Sequence, residues 1–182
     1  MVTQDGQSLV IAVLGLGEAG SVIARDLGKA GMLVRGYDPA VTAVEPILDT
    51  ASEAEAAREA QLVLSVNSAE AAVEAFRAGL PGLLAGGRPR PGAVWADLNT
   101  ASPVTKRHLA GLAANAGVPF ADVAMMAPVP GRGLRVPMLA SGTGAARYAA
   151  LLEPFGAGIE VLDGPAGPSE AAGVTGDWPR AW

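Results

Sequence analysis

The chain reads as an α/β protein, a doubly wound and mostly parallel sheet with helices on both faces. Two observations predict it. Short apolar runs rich in Val, Ile and Leu recur along the chain, and segments with apolar residues spaced three and four apart alternate with them. The first strand, turn, helix and strand close within ~30 residues, the size of a βαβ unit.

Each element follows from local chemistry. Leu9–Leu14 is a continuous apolar run ending in glycine, which suits a buried parallel strand. A helix is expected over Glu18–Ala30, with Val22, Ile23, Leu27 and Ala30 on one face and Gly31 placed to end it. Leu33–Asp38 is a second strand, stopped by Pro39. Ser52–Ala60 is a short helix, with Ser52 and Glu55 at capping-box spacing. A strand at Leu62–Val66 and a helix at Ala69–Ala78 follow, then a Gly/Pro/Arg-rich loop from Gly82 to Pro91. Ala93–Leu98 is a strand. Pro103–Ala116 is a helix with Ser102 as N-cap and proline at its first position. Strands at Phe120–Ala127 and Met138–Ser141, a helix at Ala145–Phe155 and a strand at Ile159–Leu162 complete the pattern.

The 182 residues suit one domain, expected over 8–163, with an irregular Gly/Pro/Ala-rich tail at 164–182. Half the residues are hydrophobic but only 4% are aromatic, so the core must be aliphatic. A net charge of −5 argues against a nucleic-acid partner. The absence of cysteine removes disulfides, thiolate nucleophiles and Cys-based metal sites, and no metal site is expected. Met1–Gln7 is polar and shows no targeting segment, and the apolar stretch from Leu9 to Gly17 is far short of the ~20 residues that span a membrane. A cytoplasmic protein, without a membrane partner, is the expectation.

One motif carries chemistry. Gly15, Leu16, Gly17, Glu18, Ala19 and Gly20 fit G-x-G-x-x-G. In so glycine-rich a chain roughly 0.4 such matches arise by chance, so context must supply the specificity. The match follows a predicted strand and opens a predicted helix, and Asp38 lies 18 residues beyond Gly20 at the end of the second strand. This is the arrangement of a Rossmann-type dinucleotide site. Gly15 allows the tight turn, Gly17 lets a pyrophosphate approach the backbone, and Gly20 lets the helix pack on the strand. The free N–H groups at the helix start favour an anion. Asp38 accepts from ribose hydroxyls and repels a 2′-phosphate, so NAD is expected, with NADP the alternative. Arg35 points to the opposite strand face and away from the ribose. The competing readings are turn glycines without a ligand, or a flavin or adenosylmethionine site in a related fold.

Beyond the motif, the chain resembles the β-hydroxyacid dehydrogenases, the superfamily of 3-hydroxyisobutyrate and 6-phosphogluconate dehydrogenases. The stretches that carry the resemblance are Val13–Leu27, Leu62–Ser68, Ala96–Pro103 and Phe120–Gly133, followed by Leu139–Gly142. The resemblance implies an NAD-binding domain in which Val66 and Asn67 lie beside the cofactor's ribose and Asn99 and Thr100 near its nicotinamide. It also implies that Pro128, Val129, Pro130, Gly131 and Arg132 form the turn that binds a small hydroxyacid-like substrate. That turn departs from the family run, with Pro130 in place of Ser and Arg132 in place of Gly. Arg132 or Arg135 is suited to pair with an acidic substrate instead.

The family also implies a catalytic lysine on a helix after this domain, and a helical domain that usually dimerises. The only lysines here are Lys29 and Lys106, neither at that position, and His108, the only histidine, sits on a predicted helix. No catalytic residue is assigned. After Gly167 the sequence runs PSEAAGVTGDWPRAW where the family's catalytic helix should begin. The expectation is an oxidoreductase domain cut short before its active site is complete. The alternatives are an inactive NAD-binding module and an imine-reductase-like enzyme. A homodimer and an apolar face normally covered by the following helices are further expectations.

Overall fold

A computed structural model describes residues 9–167. The tail expected at 164–182, including Trp178 and Trp182, therefore falls largely outside the described residues, as does the N-terminal segment through Ser8. The chain alternates strands and helices in the order β1 (Val10–Leu14), α1 (Glu18–Lys29), β2 (Leu33–Tyr37), β3 (Ile47–Asp49), α2 (Glu53–Ala57), β4 (Leu62–Ser65), α3 (Ala72–Leu83), β5 (Val94–Asp97), α4 (Pro103–Asn115), β6 (Phe120–Met125), β7 (Met138–Ser141), α5 (Ala145–Leu152) and β8 (Ile159–Val161). Single 3-10 turns stand at Gly133–Arg135 and Glu153–Phe155.

These strands form one sheet in the order β3-β2-β1-β4-β5-β6-β7-β8. All neighbours are parallel except β6 and β7, which run antiparallel from Asp122 against Ser141 to Met125 against Met138. The first six strands follow the doubly wound Rossmann order, whose switch point lies between β1 and β4. The fold class read from the sequence is the one observed.

Each face of the sheet has its own core, as a parallel sheet requires. Ile11 and Val13 of β1 face α1 and α5, with Ile23, Leu27, Tyr148 and Leu152. Val10, Ala12 and Leu14 face α2, α3 and α4, with Ala56, Phe76, Leu83, Leu109 and Ala113. Full burial of a side chain such as Ile23 or Leu27 stabilises the fold by about 1.5–3 kcal/mol. Phe76 meets Trp95 edge to face, with ring centroids 4.7 Å apart. Tyr148 is completely buried, which pushes its hydroxyl pKa well up, and its O–H donates to the Met138 sulfur at 3.1 Å.

Three local expectations need correction. Ile47–Asp49, which carries no strand signal of its own, forms an edge strand beside β2. Helix α3 begins at Ala72 rather than Ala69, after a turn in which the Ser68 hydroxyl accepts from Ala71 N–H. It then runs through Pro81 to Leu83, three turns from its start, into what the sequence suggested was loop. Leu83 and Phe76 bury against the sheet, and that packing carries the helix past its proline.

Candidate functional site

The glycine-rich turn joins β1 to α1 at the C-terminal edge of the sheet, and its three glycines are held by different constraints. Gly15 has φ +98°, and a Cβ on it would stand 2.4 Å from the Val66 carbonyl oxygen. A Cβ on Gly20 would stand 1.9 Å from the Gly15 carbonyl oxygen. Both must be glycine for the chain to fold this way. Gly17 is different. Its φ is −63°, it is exposed, and a Cβ there would meet nothing within 4 Å. The fold leaves that space open, so the backbone at Gly17 is accessible to a ligand.

No side chain caps α1 at Gly17, so its first-turn N–H groups are available to an anion. Glu18 is exposed in that same first turn, Ala19 is half-buried, and Leu16 is buried beneath the turn.

Asp38 stands at the end of β2, facing the turn. One carboxylate oxygen accepts from Leu16 N–H at 2.8 Å and the other from Ala40 and Val41 N–H at 2.8 and 3.0 Å. The residue expected to meet the ribose thus first holds the glycine-rich turn in register with β2. A carboxylate has about four lone-pair sites, so three backbone donors leave capacity for a ligand hydroxyl.

Between these elements lies a crevice of about 420 Å³, lined by Leu14, Gly15, Tyr37, Asp38, Asn67 and Glu74 among others. Glu53 also lines it, so three carboxylates surround the space. Arg35 faces away, with its guanidinium donating to the Arg58 carbonyl. The residues present fit a dinucleotide: a turn that leaves its backbone open, uncapped N–H groups that suit a pyrophosphate, and carboxylates along the adjoining crevice that suit ribose hydroxyls.

The other sequence-predicted residues sit along the same edge. Val66 is buried next to Gly15, and Asn67 follows it, half-exposed on the crevice wall. Asn99, just beyond β5, is buried, and Thr100 after it is exposed. The Asn99 side-chain N–H2 donates to Ser65 Oγ at 3.1 Å and to Asp97 Oδ1 at 2.6 Å, and Ser65 Oγ lies 3.4 Å from Asn67 Oδ1. One chain of polar contacts therefore joins the ends of β4 and β5.

The turn Pro128–Arg132 hangs on buried Val129, whose carbonyl accepts from the N–H groups of Arg132 and Gly133, while Pro128, Pro130, Gly131 and Arg132 are exposed. Asp26 of α1 accepts from Leu134 N–H at 3.0 Å, tying the turn to the helix that begins at the glycines.

Neither lysine is placed as a catalytic group. Lys29 is exposed at the far end of α1, and Lys106 is fully buried between Asp97 and Asp122. His108 is exposed on α4. The buried Lys106 cluster was missed by the sequence reading, although an Asp inside each of two apolar strands, β5 and β6, signals a buried cation nearby. Among the described residues, no group of three or more His, Asp or Glu could hold a metal, and no helix is long and apolar enough to cross a membrane.

Solved structures share this fold. A conserved hypothetical protein from Sinorhizobium meliloti is 27% identical, with a TM-score of 0.80, over 93% of this chain and 58% of its own. The 3-hydroxyisobutyrate dehydrogenase of Mycobacterium tuberculosis, solved with L-serine, is 28% identical, with a TM-score of 0.78, over 93% of this chain and 59% of its own. An imine reductase from Myxococcus stipitatus, in complex with NADP+, shares the fold at 19% identity and a TM-score of 0.77, over 91% of this chain and 59% of its own. The chain thus spans about three fifths of the length of these proteins. No curated protein matches it by sequence. The family described as "NAD binding domain of 6-phosphogluconate dehydrogenase" matches residues 10–135, and the chain belongs to that family of NAD-binding domains.

Proposed function

We propose that this chain binds NAD for hydride transfer to or from a small hydroxyacid-like substrate, as the dinucleotide domain of a β-hydroxyacid dehydrogenase. The observation that carries the reading is Gly17, an exposed glycine with ordinary φ and open space around its Cβ position, at the one point of the turn where a pyrophosphate would touch the backbone. The bound dinucleotide would supply the hydride chemistry; the protein supplies binding and orientation. Gly15 and Gly20 shape the turn, α1 offers its N–H groups to the pyrophosphate, and Asp38 offers its remaining acceptor capacity to the ribose. Asp38, Glu53 and Glu74 together make the crevice hostile to a 2′-phosphate, which favours NAD over NADP. The exposed Pro128–Arg132 turn, tethered to α1, is the element proposed to meet the substrate, with the Arg132 guanidinium suited to a carboxylate.

Lys106 is locked, and Lys29 and His108 are displayed elsewhere, so no described lysine or histidine is set to move a proton at a substrate oxygen. The test is a parallel fluorescence titration with NADH and NADPH of wild type, Gly17→Ala and Asp38→Ala. Wild type should prefer NADH by about tenfold or more, about 1.4 kcal/mol. Gly17→Ala should fold normally yet lose most affinity for both, and Asp38→Ala should lose the preference. Saturable binding that Gly17→Ala leaves untouched would defeat the reading.

A further inference from the structure

Beneath the C-terminal edge of β5 and β6 lies a cluster of charges that the crevice does not use. Lys106 Nζ stands 2.9 Å from Asp97 Oδ2 and 2.9 Å from Asp122 Oδ1, and all three side chains are fully buried. It also donates to the Asp97 carbonyl at 3.0 Å. One cation and two carboxylates leave a net negative charge out of water, where an aliphatic trio of the same volume is often no less stable. Such a cluster wants a reason other than stability, and the hydrogen bonds leading out of it supply one.

Asp97 Oδ1 takes an N–H of the Asn99 amide at 2.6 Å, and the second amide N–H goes to Ser65 Oγ. A carboxylate only accepts, so an ionised Asp97 dictates that Asn99 faces it with nitrogen and never with oxygen. Burial pushes the Asp97 pKa up, and the Lys106 charge is the main influence opposing that rise. Burial also acts to lower the Lys106 pKa, but the two carboxylates override it and the net direction is up. The ammonium therefore favours the carboxylate form of Asp97, and that form faces the Asn99 nitrogen. Asn99 Oδ1 is left buried without a hydrogen-bond partner, one residue below exposed Thr100. A buried acceptor left open in this way calls for a donor.

We propose that Lys106 is a positioning residue for the nicotinamide end of the site: acting through Asp97, it fixes the Asn99 amide so that Oδ1 is held ready for an N–H donor of the ligand. The carboxamide N–H2 of a nicotinamide has that chemistry. This inference rests on the dinucleotide reading above, and a ligand reaches the buried Oδ1 only by displacing what covers it. Asn99 is the contact; Lys106 acts only through it.

The experiment compares ADP-ribose, NADH and the reduced 3-acetylpyridine analogue of NAD, whose acetyl group has no N–H. It uses wild type, Asn99→Ala, Asp97→Asn and Lys106→Met, with binding read by calorimetry and fluorescence. Wild type should favour NADH over the analogue by about five- to tenfold, the worth of one hydrogen bond. Each variant should bring that ratio near one, while ADP-ribose affinity stays within about twofold of wild type. Asp97→Asn is the size-conserving variant, because its own amide can donate to Asn99 Oδ1 and silence it. If Lys106→Met does not fold, Asp97→Asn and Asn99→Ala decide. Variants that keep the wild-type ratio, or that lose ADP-ribose and NADH affinity equally, overturn the positioning role. Wild type that binds NADH and the analogue alike overturns it with the dinucleotide reading intact. Wild type that binds none of the three probes overturns the dinucleotide reading and, with it, this inference.

Discussion

At the scale of single residues, the three glycines of one motif do different jobs. Gly15 and Gly20 are fixed by backbone atoms of the protein itself, and of the three only Gly17 has open space around its Cβ position. Glu18 gives the sharpest prediction here. Its exposed carboxylate sits in the first turn of α1, where it complements the free N–H groups in the absence of ligand and opposes a pyrophosphate in its presence. Glu18→Gln should tighten NADH binding by about two- to fivefold while lowering stability by a few tenths of a kcal/mol or more, up to about 1. Titration alongside urea unfolding checks both halves, and unchanged or weaker affinity would refute the competition. The motif and Asp38 were legible in the sequence because their spacing is a property of the chain. The three backbone N–H groups that Asp38 accepts were not, since two come from the loop it enters and one from the turn across the sheet edge. Lys106 was half-legible: its helix was expected, but the convergence of β5, β6 and α4 on its ammonium is long-range geometry.

Elements were legible where one chain segment contains its own signal. The capping serines behave as read: Ser52 accepts from Glu55 N–H and Ser102 from Thr105 N–H. The short strand β3 escaped because three residues carry no periodicity, and it exists by pairing with β2 from Val34 against Ile47 to Gly36 against Asp49. The contact between α1 and the Pro128–Arg132 turn is also beyond sequence, since Asp26 and Leu134 are 108 positions apart. That contact has a measurable signature. Gly133 has φ +57°, and a Cβ there would stand 1.9 Å from Asp26 Oδ2, so Gly133→Ala must push the Asp26 carboxylate off Leu134 N–H. Gly133→Ala should cost about 1–3 kcal/mol, and Asp26→Ala about 1–2 kcal/mol. Because both remove the same hydrogen bond, the double variant should be less destabilised than the sum by about 0.5–1 kcal/mol. Strict additivity in urea unfolding would mean that α1 does not hold the turn.

Across the whole molecule, the buried charges link three elements of the sheet's C-terminal half, and they also set how stability responds to pH. The Asp122 carboxylate accepts from Gly167 N–H at 2.8 Å with its second oxygen, so the same cluster fixes the last described residue against β6. Removing the ammonium leaves two carboxylates buried without a counter-ion, and Lys106→Met should cost about 3–5 kcal/mol near neutrality. The sign on each side follows from linkage. The Lys106 pKa is raised on folding, so its contribution is complete below its unfolded value of about 10.4 and disappears as pH rises through the higher folded value. The Asp97 pKa is also raised, chiefly by burial, so above about 3.9 the folded state keeps a proton that the unfolded chain has released. Ionising Asp97 therefore counts against the fold as pH rises through its folded value, and the methionine variant, with no ammonium to offset that charge, suffers more. The gap between wild type and Lys106→Met should consequently be widest above the raised Asp97 value and below the unfolded lysine value of about 10.4. It should narrow as pH falls through the raised Asp97 value, and narrow again as pH climbs past about 10.4 toward the raised Lys106 value. Urea unfolding of both proteins across that range measures the gap directly, and a gap constant with pH would show that the cluster holds the sheet by packing and not by charge.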